Sequence, residues 1–324
     1  MIWKYFSQED SMRKFLLTTD GSDSSLRSAA YLAGLYRDTA DLEVIIFHVF
    51  PAIPPIYTEE IHDPAVRKKF EAWKSRKEEE ARGYLEKAVR VLKEGGVPEG
   101  HMKTRFSAQV VGVARDIIRE ADGGRYDAVL MGKKGMGWLE EHFLGTISNK
   151  LLQLAEGRPL WVVEGKDLNP KKVMIALDAD EAALELARFA GKMLQGLKGV
   201  EILLFHFCGP YCEIPGAQDS DDSREVREYF VTRERGKISQ IFAQAKKILS
   251  DSGLGDPPIQ TRFEADTSLT EKKASKQILA AAAQGKFGTL ILGRKGITRA
   301  REFRLGSVCL RTVVEAENCA VWVV

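Results

Sequence analysis

The chain has 324 residues, 44% hydrophobic and 29% charged, with a formal net charge of +2. This composition excludes wholesale disorder. The near-neutral balance gives no electrostatic basis for nucleic acid or an anionic membrane as the main partner, and the length points to two domains of roughly 150 residues each.

The first fourteen residues carry acids early and lack the apolar centre of a secretory signal. Residues 1–12 read as an N-terminal extension. A short apolar run then ends in an aspartate at Asp20, a second runs through 44–49 and includes His48, a third covers 128–132, and a fourth covers 160–163. The runs are continuous instead of alternating, which suits strands buried on both faces of a parallel sheet. Helical patterns lie between them at 24–36, 66–94, 113–121 and 146–155. The pattern at 66–94 is dense in charge and reads as a surface helix with a solvated face.

Polar residues 164–170 break both periods, which puts a linker at 166–171 between a first domain, 13–165, and a second, 172–324. The second domain repeats the first. Apolar runs recur at 172–178, 202–207, 289–293 and 321–324, with helical patterns at 181–194, 223–249, 272–283 and 307–316. The offset is 158 residues for the aspartates (20 and 178) and for the histidines (48 and 206), and 161 for the glycines 132 and 293. Alternating strands and helices imply βαβ units with right-handed crossovers. No run reaches the roughly 18 to 20 apolar residues that span a bilayer. Four cysteines, all in the second half, make no disulfide framework. A reducing, cytoplasmic setting is the expectation.

The chemistry sits after the third apolar run of each half. There the first half reads Gly132, two residues, Gly135, nine residues, Gly145-Thr146, and the second reads Gly293, Gly296 and Gly306-Ser307 at the same spacing. A glycine ending a strand allows close approach of a ribose or phosphate. Gly135 and Gly296 can take positive φ and turn successive amides toward an anion. Gly145-Thr146 and Gly306-Ser307 open helices whose first amides attract phosphate, and Lys133, Lys134, Arg294 and Lys295 add positive charge. The bland alternative is a pair of strand-to-helix turns in which Thr146 and Ser307 act as N-caps. Two copies at identical spacing favour the phosphate reading.

These residues resemble the universal stress protein family, in tandem and in its ATP-binding branch. The likeness covers nearly the whole chain beyond the first dozen residues. It implies an α/β fold of two tandem, open, mostly parallel five-stranded sheets with helices on both faces, of the adenine-nucleotide alpha-hydrolase-like, Rossmann-like kind. It also implies that Thr19, Asp20, Val49 and Met131 line an adenosine pocket, and that Gly132, Gly135, Gly145, Thr146 and Ile147 hold ribose and phosphates. The ligand would be ATP, or ADP or AMP, with Mg2+ or Mn2+ bridging the phosphates. In the second half the corresponding positions are Asp178, Leu292, Gly293, Gly296, Gly306, Ser307 and Val308. The pattern departs there twice: Thr19-Asp20-Gly21-Ser22 becomes Leu177-Asp178-Ala179-Asp180, and Val49 becomes Phe207.

Other signals are weaker. There is no Gly-x4-Gly-Lys-Ser/Thr run and no Gly-x-Gly-x-x-Gly after the first strand, which disfavours a P-loop NTPase or a nicotinamide dehydrogenase. His206, Cys208 and Cys212 match no zinc spacing, and Cys309 and Cys319 read as small packing residues. His142 reads as a surface loop residue, since its counterpart is Phe303. Trp161 and Trp322 lie in closing strands whose edges pair, on the family's pattern, in an intramolecular pseudo-dimer, with homodimers of the whole chain left open. The expected function is nucleotide occupancy that sets conformation or the choice of a protein partner in a stress response. A slow ATPase or phosphotransferase, kept open by Asp20, Glu140 and Glu141, and a nucleotide-independent scaffold are the alternatives. No catalytic residue set is assigned.

Overall fold

Continuous apolar runs need a fold that buries both of their faces, and the computed structural model provides it twice. It describes residues 12–37, 39, 41–50, 61–135, 144–209, 221–254, 257–265, 274–295 and 305–324. The chain divides into two compact units, Met1–Glu164 and Gly165–Val324.

In the first unit the elements are β1 (Arg13–Thr18), α1 (Asp23–Tyr36), β2 (Leu42–Phe50), α2 (Pro64–Glu94), β3 (Met102–Ala108), α3 (Val113–Gly124), β4 (Ala128–Gly132), α4 (Thr146–Leu154) and β5 (Leu160–Glu164). The strands order as β3-β2-β1-β4-β5, and every pairing among them is parallel. From β1 the chain winds outward to β2 and β3, then jumps back to β4 and winds the other way to β5. With right-handed crossovers that reversal puts α1 and α2 on one face and α3 and α4 on the other. The helices pack accordingly, α1 on α2 and α3 on α4. The switch in direction lies between β1 and β4, and the crevice where such sheets receive ligands opens at the carboxyl ends of those two strands. The Thr18 hydroxyl donates to the Leu130 carbonyl at 3.0 Å and ties the strands together there.

The second unit repeats the plan with β6 (Lys172–Ala176), α5 (Leu184–Leu194), β7 (Glu201–Cys208), α6 (Asp221–Asp251), β8 (Ile259–Ala265), α7 (Ala274–Gly285), β9 (Thr289–Leu292), α8 (Ser307–Glu315) and β10 (Cys319–Val323). Its strands order as β10-β9-β6-β7-β8, again all parallel. The helical pattern at 181–194 divides into a 3-10 turn, Glu181–Ala183, and then α5. Asp180 caps the turn by accepting from the Ala182 amide at 2.9 Å.

Central strands are shut off from water, as their sequences require: Phe15, Leu16, Leu17, Val44 and Leu130 are fully buried. Trp161 is the keystone of the first core, with its ring 4.9 Å from Phe15 and edge-on to Tyr31 at 6.5 Å. Trp322 holds the matching position, edge-on to Phe189 at 6.1 Å. Even a surface detail repeats, since the Lys14 ammonium lies over Tyr126 and that of Lys172 over Phe287. Among the described residues no helix is long and apolar enough to cross a membrane.

The loop from β3 into α3 is organised by one buried carboxylate. Asp116, 6% exposed, accepts from the amides of Val110, Val111 and Gly112 at 2.8 to 3.3 Å. Replacing it with alanine strands three donors and is expected to destabilise the unit by about 1–3 kcal/mol. Urea denaturation would measure the loss, and amide exchange at 110–112 should accelerate while that of β1 holds.

Candidate functional site

At the switch point of the first unit lies a cleft of about 320 Å³. Its floor comes from the ends of β1, β2 and β4, and one wall from α3 and the start of α4. Of the residues expected from the sequence, Thr19, Asp20, Val49, Met131, Gly132, Gly135, Gly145, Thr146 and Ile147 line it. Lys133 does not. Its amide still donates to the Val163 carbonyl at 3.2 Å, as in the sheet, and its side chain is 1% exposed. The next residue, Lys134, is the one that faces the cleft, and its amide donates to the Ser24 hydroxyl at 3.2 Å.

The start of α4 differs from those of α1 and α2. α1 and α2 are capped in the ordinary way: Ser22 accepts from the Ser25 amide, and Asp63 from the Ala65 and Val66 amides. At α4 the N-cap is Gly145, with no side-chain cap bond. Thr146 is therefore the first helical residue and not a cap. The Gly145 amide is itself used, donating to the Lys133 carbonyl at 2.9 Å and closing the base of the loop. The amides of the first turn then point toward the cleft at the positive end of the helix dipole.

The glycines that line the cleft also meet packing constraints inside the fold. A Cβ on Gly132 would sit 2.6 Å from the backbone of Ser24, so that glycine admits α1 against the end of β4. Gly135 does not take positive φ; a Cβ there would press on the Asp20 carboxylate at 2.7 Å. Positive φ occurs instead at Gly21, at +78°, where Tyr84 packs over the turn. That turn is knit by Asp20, which accepts from the Ser22 amide at 3.0 Å and the Ser22 hydroxyl at 2.5 Å. The Thr19 hydroxyl meets that of Ser25 at 3.0 Å.

His48 was visible as a repeated residue without a role. It lines the cleft, donates from Nδ1 to the Thr19 carbonyl at 2.7 Å, and lies edge-on to Tyr84 at 5.3 Å. Its repetition at the same offset as the aspartates was the signal that it positions the turn after β1. Burial lowers its pKa below 6.5, against smaller upward pushes from the Thr19 carbonyl and Asp20.

The second unit has the corresponding cleft, of about 280 Å³, lined by Asp178, Leu292, Gly293, Gly306, Ser307 and Val308 among others. Arg294 again stays in the sheet, its amide donating to the Val324 carbonyl at 2.8 Å, and is 7% exposed. Gly296, like Glu140, Glu141, His142, Cys212 and Phe303, falls outside the described residues. Gly306 is an N-cap without a side-chain bond, as Gly145 is, and its amide donates to the Arg294 carbonyl at 2.8 Å. His206 repeats the tether, with Nδ1 2.7 Å from the Leu177 carbonyl, but its Nε2 meets the Glu234 carboxylate at 3.0 Å. Burial raises the Asp178 pKa, opposed by His206 and reinforced by Asp180 and Glu234. Phe207 lines this cleft where Val49 lines the other. Cys309 and Cys319 are buried, and burial pushes the Cys309 thiol up to about 12. Among the described residues no group of three or more His, Cys, Asp or Glu could hold a metal ion.

Two outcomes follow from this geometry. Gly132→Ala should destabilise the first unit by about 1–3 kcal/mol, because α1 must move away from β4, read by thermal or urea denaturation. For His48, the folded state takes up its proton less readily than the unfolded chain. Its contribution to stability is therefore complete above about pH 6.5 and falls as the pH drops through the folded-state pKa. His48→Gln should remove that part of the acid-side slope when stability is measured across pH 4 to 8.

A model of the universal stress protein family matches residues 12–164 and again 169–324. Among solved structures, a universal stress protein from Archaeoglobus fulgidus DSM 4304 superposes with a TM-score of 0.61 at 17% identity, covering 96% of this chain and 97% of that one. A protein of unknown function from Pseudomonas aeruginosa PAO1 superposes at 0.56 with 14% identity, covering 97% and 93%. At these identities the likeness concerns the fold. No curated protein matches the chain.

Proposed function

The chain belongs to the universal stress protein family, which it matches twice over nearly its whole length, and on that premise we propose that its first cleft binds an adenine nucleotide whose occupancy sets conformation or partner choice in a stress response. The observation that carries this reading is the bare start of α4. Its first-turn amides open onto a cleft that also holds Lys134 and an apolar wall of Val49, Val113, Ile117 and Met131. Amides at a positive helix end suit phosphate, and a flat base suits the apolar wall. A divalent cation, Mg2+ or Mn2+, enters as part of the ligand, bridging its phosphates. ATP, ADP and AMP share the base and differ in how many phosphates reach α4.

The second cleft keeps the bare helix start and the aspartate after the first strand, Asp178 where the first cleft has Asp20, but sets Asp180 and Glu234 near enough to raise its pKa. A phosphate there meets acids already in each other's field, and Phe207 narrows the apolar side. It therefore holds nucleotide more weakly than the first.

Titration calorimetry with ATP and Mg2+ should resolve two unequal sites, differing by about tenfold or more, which is about 1.4 kcal/mol per tenfold. Gly145→Asp puts a carboxylate at the phosphate end and should abolish the tighter site while the weaker persists. Lys134→Ala should weaken the tighter site by about tenfold. Unchanged affinity in both variants would remove the first cleft from consideration.

A further inference from the structure

The turn after β1 is centred on a glycine and held by contacts from two other elements. Gly21 has φ +78°, a conformation that glycine reaches without strain and leaves as easily. The bonds around it stay within the turn: the Gly21 amide donates to the Thr19 hydroxyl at 3.2 Å, and the Ser22 amide to Asp20 at 3.0 Å. From β2, His48 donates to the Thr19 carbonyl at 2.7 Å. From α2, the Tyr84 ring fills the place that a Cβ on Gly21 would need. The same ring stands edge-on to His48, with centroids 5.3 Å apart. Tyr84 thus touches both the free residue of the turn and the histidine that tethers it.

The turn presents Asp20 to the cleft. One carboxylate oxygen accepts from Ser22, and the other lies where a Cβ on Gly135 would meet it at 2.7 Å. Asp20 therefore spans from this turn to the glycine loop, and a shift of the turn moves a charged group inside the cleft. Its bonds to Ser22 do not resist that shift, because Ser22 moves with it. The second copy lacks both halves of the contact. Buried Ala81, Leu85, Ala88 and Leu92 of α2 have buried counterparts in α6 at Ile238, Phe242, Ala245 and Leu249, each 157 residues on, which puts Ile241 in the place of Tyr84. Ala179 replaces Gly21 and does not take positive φ. The glycine turn and the ring over it occur together in the first copy and are missing together from the second.

We propose that Tyr84 is a positioning residue of the first cleft, its ring clamping the Gly21 turn so that Asp20 stays in the geometry that receives the ligand. The inference rests on the nucleotide reading of that cleft. Such a clamp acts through populations: ligand affinity scales with the fraction of molecules whose turn is already in the competent geometry. It needs the ring and not the hydroxyl, since the Tyr84 atoms nearest Gly21 are the ring carbons Cγ, Cδ1 and Cε1.

The test is titration calorimetry of the full chain with ATP and Mg2+, with urea denaturation alongside to confirm folding. Tyr84→Ala should weaken the tighter site by about tenfold, as for a turn that is competent about a tenth of the time, and leave the weaker site as it is. Tyr84→Phe should bind as the wild type does. Leu92→Ala, at a fully buried position about two turns farther along α2, should cost more stability than Tyr84→Ala and yet keep first-site affinity. That contrast separates positioning from a general loosening of the helix. In the ligand-free protein, exchange of the Ser22 amide should accelerate in Tyr84→Ala and not in the other two variants. A wild type that binds no nucleotide overturns the reading of the cleft and this inference with it. Where the wild type binds, unchanged affinity in Tyr84→Ala, or an equal loss in Tyr84→Phe or Leu92→Ala, overturns the inference alone.

Discussion

A helix that begins without a cap inside a cleft is the constraint on which the rest of this structure turns. The first amides of α4 have no intrahelical acceptor, and leaving such groups unsatisfied away from water costs free energy. At α1 and α2 the chain meets that need with Ser22 and Asp63, while α3 and α5 also begin without a side-chain cap bond. At α4 and α8 it places glycine at the cap and directs the helix start into the cleft at the sheet's switch point. Much of the surrounding architecture positions that start. The Gly145 amide closes the loop onto Lys133, Ser24 receives the Lys134 amide, and the Ser148 hydroxyl donates to the Gly132 carbonyl at 3.0 Å.

The duplicated unit shows which features belong to the plan and which were free to change. Both copies keep the histidine that tethers the turn after the first strand, the loop-closing glycine amide, and a basic residue that stays in the sheet after the strand-ending glycine. The chemistry around the first strand's aspartate diverged. In the first copy Asp20 spends one oxygen on Ser22; in the second Asp178 shares its surroundings with Asp180 and Glu234. Gly293 also has no close neighbour of the kind that forbids a side chain at Gly132. The second copy thus retains the frame with looser steric demands and more negative charge.

The buried strands were legible because a parallel sheet covered on both faces demands continuous apolar runs, and all eight such runs became strands. The edge strands β3 and β8 were not located. MKTRFSA and IQTRFEA carry polar residues at most positions, since an edge strand is only half covered, and nothing in such a segment marks it as strand rather than loop. The glycine skeleton pointed to the cleft at the switch point for reasons that the geometry meets only in part. Sequence shows that a side chain is missing, but not whether α1, Asp20 or a ligand occupies the space. For the same reason Lys133 looked equivalent to Lys134. One residue along a strand reverses the side-chain direction, and the strand pairing continues one residue beyond Gly132.

The most direct test of the bare helix start as a phosphate site is to denature the purified protein mildly and identify and count the released small molecules by mass spectrometry. The account predicts an adenine nucleotide at about one equivalent per chain or more, absent from the Gly145→Asp variant's first site. A protein that releases no nucleotide, and takes up none when ATP and Mg2+ are added back, would contradict it.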